Sequence, residues 1–122
     1  MSKVIVIDDE PFILMMIEDK LKKAKIEVVT LRESKNALEV IRRERPNLVI
    51  LDWMMPEMSG IELCKKIKND SDIADIPVFM LTAKGQDSDE QLGLQSGVTR
   101  YITKPFSPKS LLEMVQETIG TA

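Results

Sequence analysis

Five short apolar blocks, separated by amphipathic stretches of helical period, constrain this chain more than any other feature. Val4 to Ile7, Ile26 to Val29, Leu48 to Leu51, Val78 to Leu81 and Tyr101 to Thr103 are of strand length. Several are continuous apolar runs, the mark of strands buried on both faces. Between them, Ile13, Ile17, Leu21 and Ala24 recur at helical spacing behind Pro11, a residue suited to a first helical turn. Ala37, Leu38 and Ile41 form a second face, ended before Pro46, and Leu63, Cys64 and Ile67 form a third. The last helix takes Ser107 as N-cap, Pro108 at its first position, Leu111, Leu112, Val115 and Ile119 as its inner face, and Gly120 at its end. Between Gly85 and Gly97 the apolar residues are few, chiefly Leu92 and Leu94, so the fourth helix is expected to be weakly anchored and mobile. Five strand-then-helix units predict an α/β fold: a doubly wound, five-stranded parallel sheet with helices on both faces, in a single domain over 1–122.

In open parallel sheets, sites form beyond the carboxyl ends of the strands. Those ends carry Asp8, Asp9 and Glu10 after the first strand, Asp52 after the third, Thr82 after the fourth and Lys104 after the fifth. Each has an ordinary explanation alone. Acids favour helix starts and turns, a hydroxyl can end a strand, and a lysine is usually solvated. Together they place carboxylates, a hydroxyl and an ammonium at one edge. Carboxylates at close quarters raise one another's pKa unless a cation intervenes, and a hard divalent ion with oxygen ligands, Mg²⁺ above all where phosphate is handled, answers that need.

Composition removes the competing chemistries. The 122 residues contain no histidine, which excludes Ser/His and Cys/His nucleophilic pairs, imidazole-ligated metals and imidazole proton shuttles. Seventeen basic residues against twenty acidic ones give a net charge of −3, which argues against direct nucleic-acid binding. The lone Cys64 cannot form an internal disulfide and reads as a small hydrophobe on a helix's inner face. Neither a signal sequence nor a membrane-spanning run is evident, so a soluble protein in a reducing, cytoplasmic compartment is expected. An acidic triplet after the first strand would repel a flavin phosphate. A dehalogenase-type phosphohydrolase needs a second acid two positions beyond its nucleophile, where Asp52 is followed by Trp53 and Met54. Neither G-x-x-x-x-G-K-[ST] nor G-x-G-x-x-G occurs.

These residues resemble the receiver domain of bacterial two-component response regulators, the CheY-like family, along essentially the whole chain. The resemblance is carried by Val6-Ile7-Asp8-Asp9-Glu10-Pro11, by Leu51-Asp52-Trp53-Met54-Met55-Pro56-Glu57-Met58-Ser59-Gly60, by Leu81-Thr82-Ala83, and by Tyr101-Ile102-Thr103-Lys104-Pro105-Phe106. It implies a flavodoxin-like three-layer sandwich with strand order 2-1-3-4-5. It also implies that Asp52 is the phosphoacceptor, attacking the phosphoryl group of a phosphohistidine on a sensor histidine kinase or histidine phosphotransfer protein, or that of a small acyl phosphate. Asp8, Asp9, Asp52 and the backbone carbonyl of Met54 would hold Mg²⁺. Lys104, the Thr82 hydroxyl and the Ala83 backbone N–H would bind phosphoryl oxygens. The Lys104-Pro105 bond is expected to be cis, and Met54 and Lys84 are expected to set the phosphoryl lifetime.

Phosphorylated Asp52 would draw Thr82 inward and vacate space for Tyr101, moving the face made by the fourth helix, fifth strand and fifth helix towards a downstream effector protein. Such a chain is no enzyme on other substrates: it catalyses only its own phosphorylation and autodephosphorylation. The other reading is a pseudo-receiver that docks proteins without being phosphorylated, against which the full set Asp8, Asp9, Asp52, Thr82 and Lys104 counts. Val98-Thr99 departs from the small residue and acid or amide usual in the family after Gly97, a change read as local packing. With only Gly120, Thr121 and Ala122 beyond Ile119, no output domain is expected on the chain, as monomer or as a dimer formed on phosphorylation. On a helical wheel Met15 falls opposite the core stripe of the first helix and Phe12 on its flank, a possible docking patch for a kinase helix pair.

Overall fold

A computed structural model of the chain describes residues 2–55, 58–83 and 97–120. Its elements run β1 (Lys3–Ile7), α1 (Pro11–Lys23), β2 (Glu27–Leu31), α2 (Ala37–Glu44), β3 (Leu48–Asp52), α3 (Gly60–Lys68), β4 (Val78–Ala83), β5 (Arg100–Lys104) and α4 (Pro108–Ile119). The helix expected between Gly85 and Gly97 lies outside the described residues. All strand pairs are parallel, in the order β2-β1-β3-β4-β5. The doubly wound sheet read from the sequence is therefore the observed one.

Alternation along each strand divides the core in two. Ile5, Ile7, Val49, Leu51, Val78 and Met80 face α2 and α3, meeting Ala37, Ile41, Leu63, Cys64 and Ile67. Val4, Val6, Leu48, Ile50, Phe79 and Leu81 face α1 and α4, meeting Leu14, Ile17, Leu21, Leu111 and Val115. A period of two on strands buried on both faces is why these segments read as unbroken apolar runs. In α1 the buried stripe is Leu14, Ile17 and Leu21, with Ile13 and Ala24 at its margin. Leu14, three before Ile17, takes the buried position that the spacing assigned to Ile13.

Helix ends follow local chemistry. Ser107 accepts a hydrogen bond from the Ser110 N–H at 3.3 Å, with Pro108 next to it in the first turn. Ser59 does the same for the Glu62 N–H at 3.2 Å. Strand ends hold the one systematic difference from the sequence reading. β3, β4 and β5 run past their apolar blocks to include Asp52, Thr82 with Ala83, and Lys104. The ladder registers these polar residues as it does the core, pairing Asp52 with Leu81, Thr82 with Thr103, and Ala83 with Lys104. Their backbones are thus fixed by the sheet.

Candidate functional site: an acidic cluster at the carboxyl edge

The order β2-β1-β3 means that the chain leaves β1 to one side and later returns on the other, opening a crevice at the carboxyl ends of β1 and β3. Asp8 follows β1 there, its backbone N–H bonded to the Leu31 carbonyl at 3.0 Å. Asp52 ends the adjacent β3. Asp8 is 0% exposed and Asp52 6%. Carboxylate oxygens of Asp8, Asp9, Glu10 and Asp52 all lie within 4.8 Å of one another.

Lys104 reaches across from β5. Its Nζ donates to Asp8 Oδ2 at 3.0 Å, Glu10 Oε1 at 3.0 Å and Asp52 Oδ1 at 3.2 Å. The peptide bond that follows it, to Pro105, is cis. Asp8 Oδ1 accepts from the Glu10 N–H at 2.9 Å. Thr82 is buried at the end of β4, and Ala83 continues that strand beside Lys104.

Electrostatics at this edge is a contest between burial and pairing. Burial pushes the Asp52 carboxyl up to about 6; the Asp8 carboxylate adds to the push, and Lys104 opposes it. Burial also raises Asp8, against the Glu10 N–H and Lys104. For Lys104 burial works downwards, but the bonds to Asp8 and Glu10 and the surrounding negative charge prevail and raise it. The ammonium is therefore firmly charged, and the carboxylates beside it remain under-compensated. Oxygen-only donors, several negative charges and two buried carboxyls with raised pKa fit a hard divalent cation such as Mg²⁺.

The remaining candidates separate by place. Met54 is an exposed side chain two residues past Asp52, and Lys84 lies outside the described residues. Tyr101 is half-buried on β5, its ring 6.2 Å from that of Trp53. Phe12 (67% exposed) borders an apolar groove with Ile13, Met16, Pro105 and Phe106, which Glu10 and Lys104 join to the acidic cluster. Met15 (62% exposed) is not part of that groove and lines a separate recess with Glu18, Asp19, Lys22 and Lys23. Val98 is buried in the core, and the Thr99 hydroxyl accepts from the Val78 N–H at 3.1 Å, so this pair bears on packing. Cys64 is buried with its thiol pushed up by that burial. The site residue that the sequence reading left without a role is Glu10. Its signal was present in the Asp8-Asp9-Glu10 triplet, but which of those acids meets Lys104 depends on side-chain direction.

At the carboxyl edge of a doubly wound α/β domain, oxygen ligands and an ammonium group thus stand together. The chain belongs to the response regulator receiver domain family, whose pattern matches residues 4–116. It is 40% identical over 116 residues to the phosphate regulon transcriptional regulatory protein PhoB of Pseudomonas aeruginosa, covering 95% of this chain and 51% of that protein. The chain spans about half the length of the curated relatives it matches. Chemotaxis response regulator CheY4 of Vibrio cholerae superposes with a TM-score of 0.90 at 33% identity, covering 97% of this chain and 98% of that one. The BeF3-activated receiver domain of Klebsiella pneumoniae RstA gives 0.90 at 31%, covering 98% and 99%. Receiver domains of this family generally bind Mg²⁺ at an acidic cluster, and response regulators take phosphoryl groups from histidine kinases and act on downstream effectors. Among the described residues no helix is long and apolar enough to cross a membrane.

Proposed function

We propose that this chain is a phosphoryl-accepting switch and that Asp52 is the acceptor. The supporting observation is the convergence of Lys104 on Asp8 and Asp52 at 3.0 and 3.2 Å, at the edge where the acidic cluster gathers. An Asp52 Oδ attacks phosphorus as the bond to the donor breaks, which is phosphohistidine nitrogen or the acyl oxygen of acetyl phosphate. Acetate leaves with the bonding electron pair, and the product is an acyl phosphate on Asp52. Lys104 Nζ stabilises charge on the transferred group, joined by the Thr82 hydroxyl and the Ala83 N–H. Asp8, Asp9, Asp52 and the Met54 carbonyl would hold Mg²⁺, which when bound supplies positive charge against the cluster and the entering phosphoryl oxygens.

After transfer the added negative charge draws Thr82 towards Asp52, and Tyr101 moves with it, changing the face near β5 that meets an effector. Met54 and Lys84 set the lifetime of the acyl phosphate. Phe12 and Met15 form the docking patch for the kinase, the first directly beside the site. All of this is one domain's work over 1–122.

Incubation with Mg²⁺ and acetyl phosphate, followed by intact mass measurement, tests the reading. One added phosphoryl group is expected on the wild type and none on Asp52→Asn. No gain on the wild type overturns the function, and equal labelling of the variant overturns the site. For the patch, Phe12→Ser with Met15→Lys should slow transfer from a histidine kinase that loads the wild type; an unchanged rate removes it.

A further inference from the structure

Lys104 has one carboxylate partner too many for the chemistry just described. Asp8 and Asp52 are buried and would share a cation, whereas Glu10 is 58% exposed and its carboxylate reaches Lys104 Nζ from the solvent side at 3.0 Å. The Glu10 backbone cannot follow its side chain. It is the N-cap of α1, its carbonyl accepting from the Ile13 and Leu14 N–H groups at 3.1 and 3.2 Å and its own N–H bonded to Asp8 at 2.9 Å. A fixed backbone with a solvent-facing carboxylate can let go of Lys104 and retake it at little cost.

Resting on the phosphoacceptor reading above, we propose that Glu10 is a positioning residue that restrains Lys104 before phosphorylation. It competes with the incoming phosphoryl oxygen for Nζ and so slows loading from small anionic donors. Bond formation from Asp52 Oδ to phosphorus, with acetate leaving as its P–O bond breaks, needs the ammonium on the phosphoryl oxygens. The three N–H groups of Nζ are taken by Asp8, Glu10 and Asp52, so a phosphoryl oxygen must displace one of them, and the Glu10 bond is the one on the solvent side from which the donor arrives.

Loading by acetyl phosphate at saturating Mg²⁺, followed by intact mass, is the test. An exposed ion pair of this kind corresponds to about two- to fivefold in rate, so Glu10→Gln and Glu10→Ala are expected to load faster than wild type by that factor. Loss of a merely structural contact would give no such gain. A rate at or below that of the wild type overturns the proposal. In a Lys104→Gln background, followed for hours where loading is slow, Glu10→Gln is expected to change the rate by less than about twofold. A gain kept in that background shows that Glu10 acts by its charge alone and overturns the restraint. Failure of the wild type itself to take phosphate would instead sink the phosphoacceptor reading, a different result from equal loading of wild type and variants.

Discussion

Burial and the neighbouring Asp8 carboxylate lift Asp52 from 3.8 to about 6, so in the folded protein this group holds its proton over a range where the unfolded chain has lost it. Between those two values the folded state binds more protons than the unfolded, and stability falls as pH rises across the window; above it the penalty is constant. Asp52→Asn removes the penalty and gives up the bond to Lys104. In chelator at pH 7 the variant should be more stable than wild type by roughly 1–2 kcal/mol, with a flatter profile between about pH 4 and pH 6 in chemical denaturation. A variant less stable than wild type at pH 7 would contradict this balance. Gly60 shows the opposite sensitivity. A Cβ there would run into the Asp52 carbonyl oxygen and lie 2.9 Å from Met80 Sδ, displacing the strand end that presents Asp52. Gly60→Ala should cost about 1–3 kcal/mol and slow acetyl phosphate loading along with the loss of Tm. Asp8, Asp52 and Lys104 were legible as candidates from their strand-end positions, and the fold brings their side chains together. Glu10's bond to Lys104 was not, because neighbouring acids in one triplet differ only in where their side chains point.

Turns and strand ends, more than element interiors, show what chemistry each segment demands of its sequence. Lys25, just after α1, sits at φ 66°, a left-handed conformation that costs a side-chain-bearing residue and suits glycine. Its N–H bonds the Lys22 carbonyl at 2.9 Å, and the Ile26 N–H then returns to Leu21 at 3.0 Å. Lys25→Gly keeps these bonds and relieves the strain, so thermal melts should shift upward by about 2–4 °C, and no rise would mean that the lysine side chain compensates. The five strands and four of the helices were readable because one period, two or 3.6, dominates each. Carboxyl ends of β3, β4 and β5 were not, since an apolar criterion stops at the first polar residue. Parallel pairing does not stop there: Asp52 pairs with Leu81 and Ala83 with Lys104. The residues that break the hydrophobic pattern are the ones that line the carboxyl edge, and the ladder holds their backbones in place.

Both core layers hang on the same five strands, with β1, β3 and β4 contributing alternate residues to each. Neither layer can melt while leaving the other's strands in register, so the domain should unfold as one unit. Trp53, the chain's single tryptophan, is 8% exposed in the layer beneath α2 and α3, immediately after Asp52. Its fluorescence reports that layer, whereas far-UV circular dichroism reports helices on both sides. A cation bound only by the folded acidic cluster adds stability by mass action, about 1.4 kcal/mol at ten times its dissociation constant, or about 4–6 °C in Tm for a chain of this size. Mg²⁺ should therefore raise the fluorescence and dichroism midpoints together and by the same amount. In Asp52→Asn, with one carboxylate ligand neutralised, the rise should fall to less than half at the same Mg²⁺ concentration, although the variant starts from a higher Tm in chelator. A fluorescence midpoint that moved with Mg²⁺ while the dichroism midpoint stayed would show that the cluster stabilises only its own edge, and that the two layers are not one cooperative body.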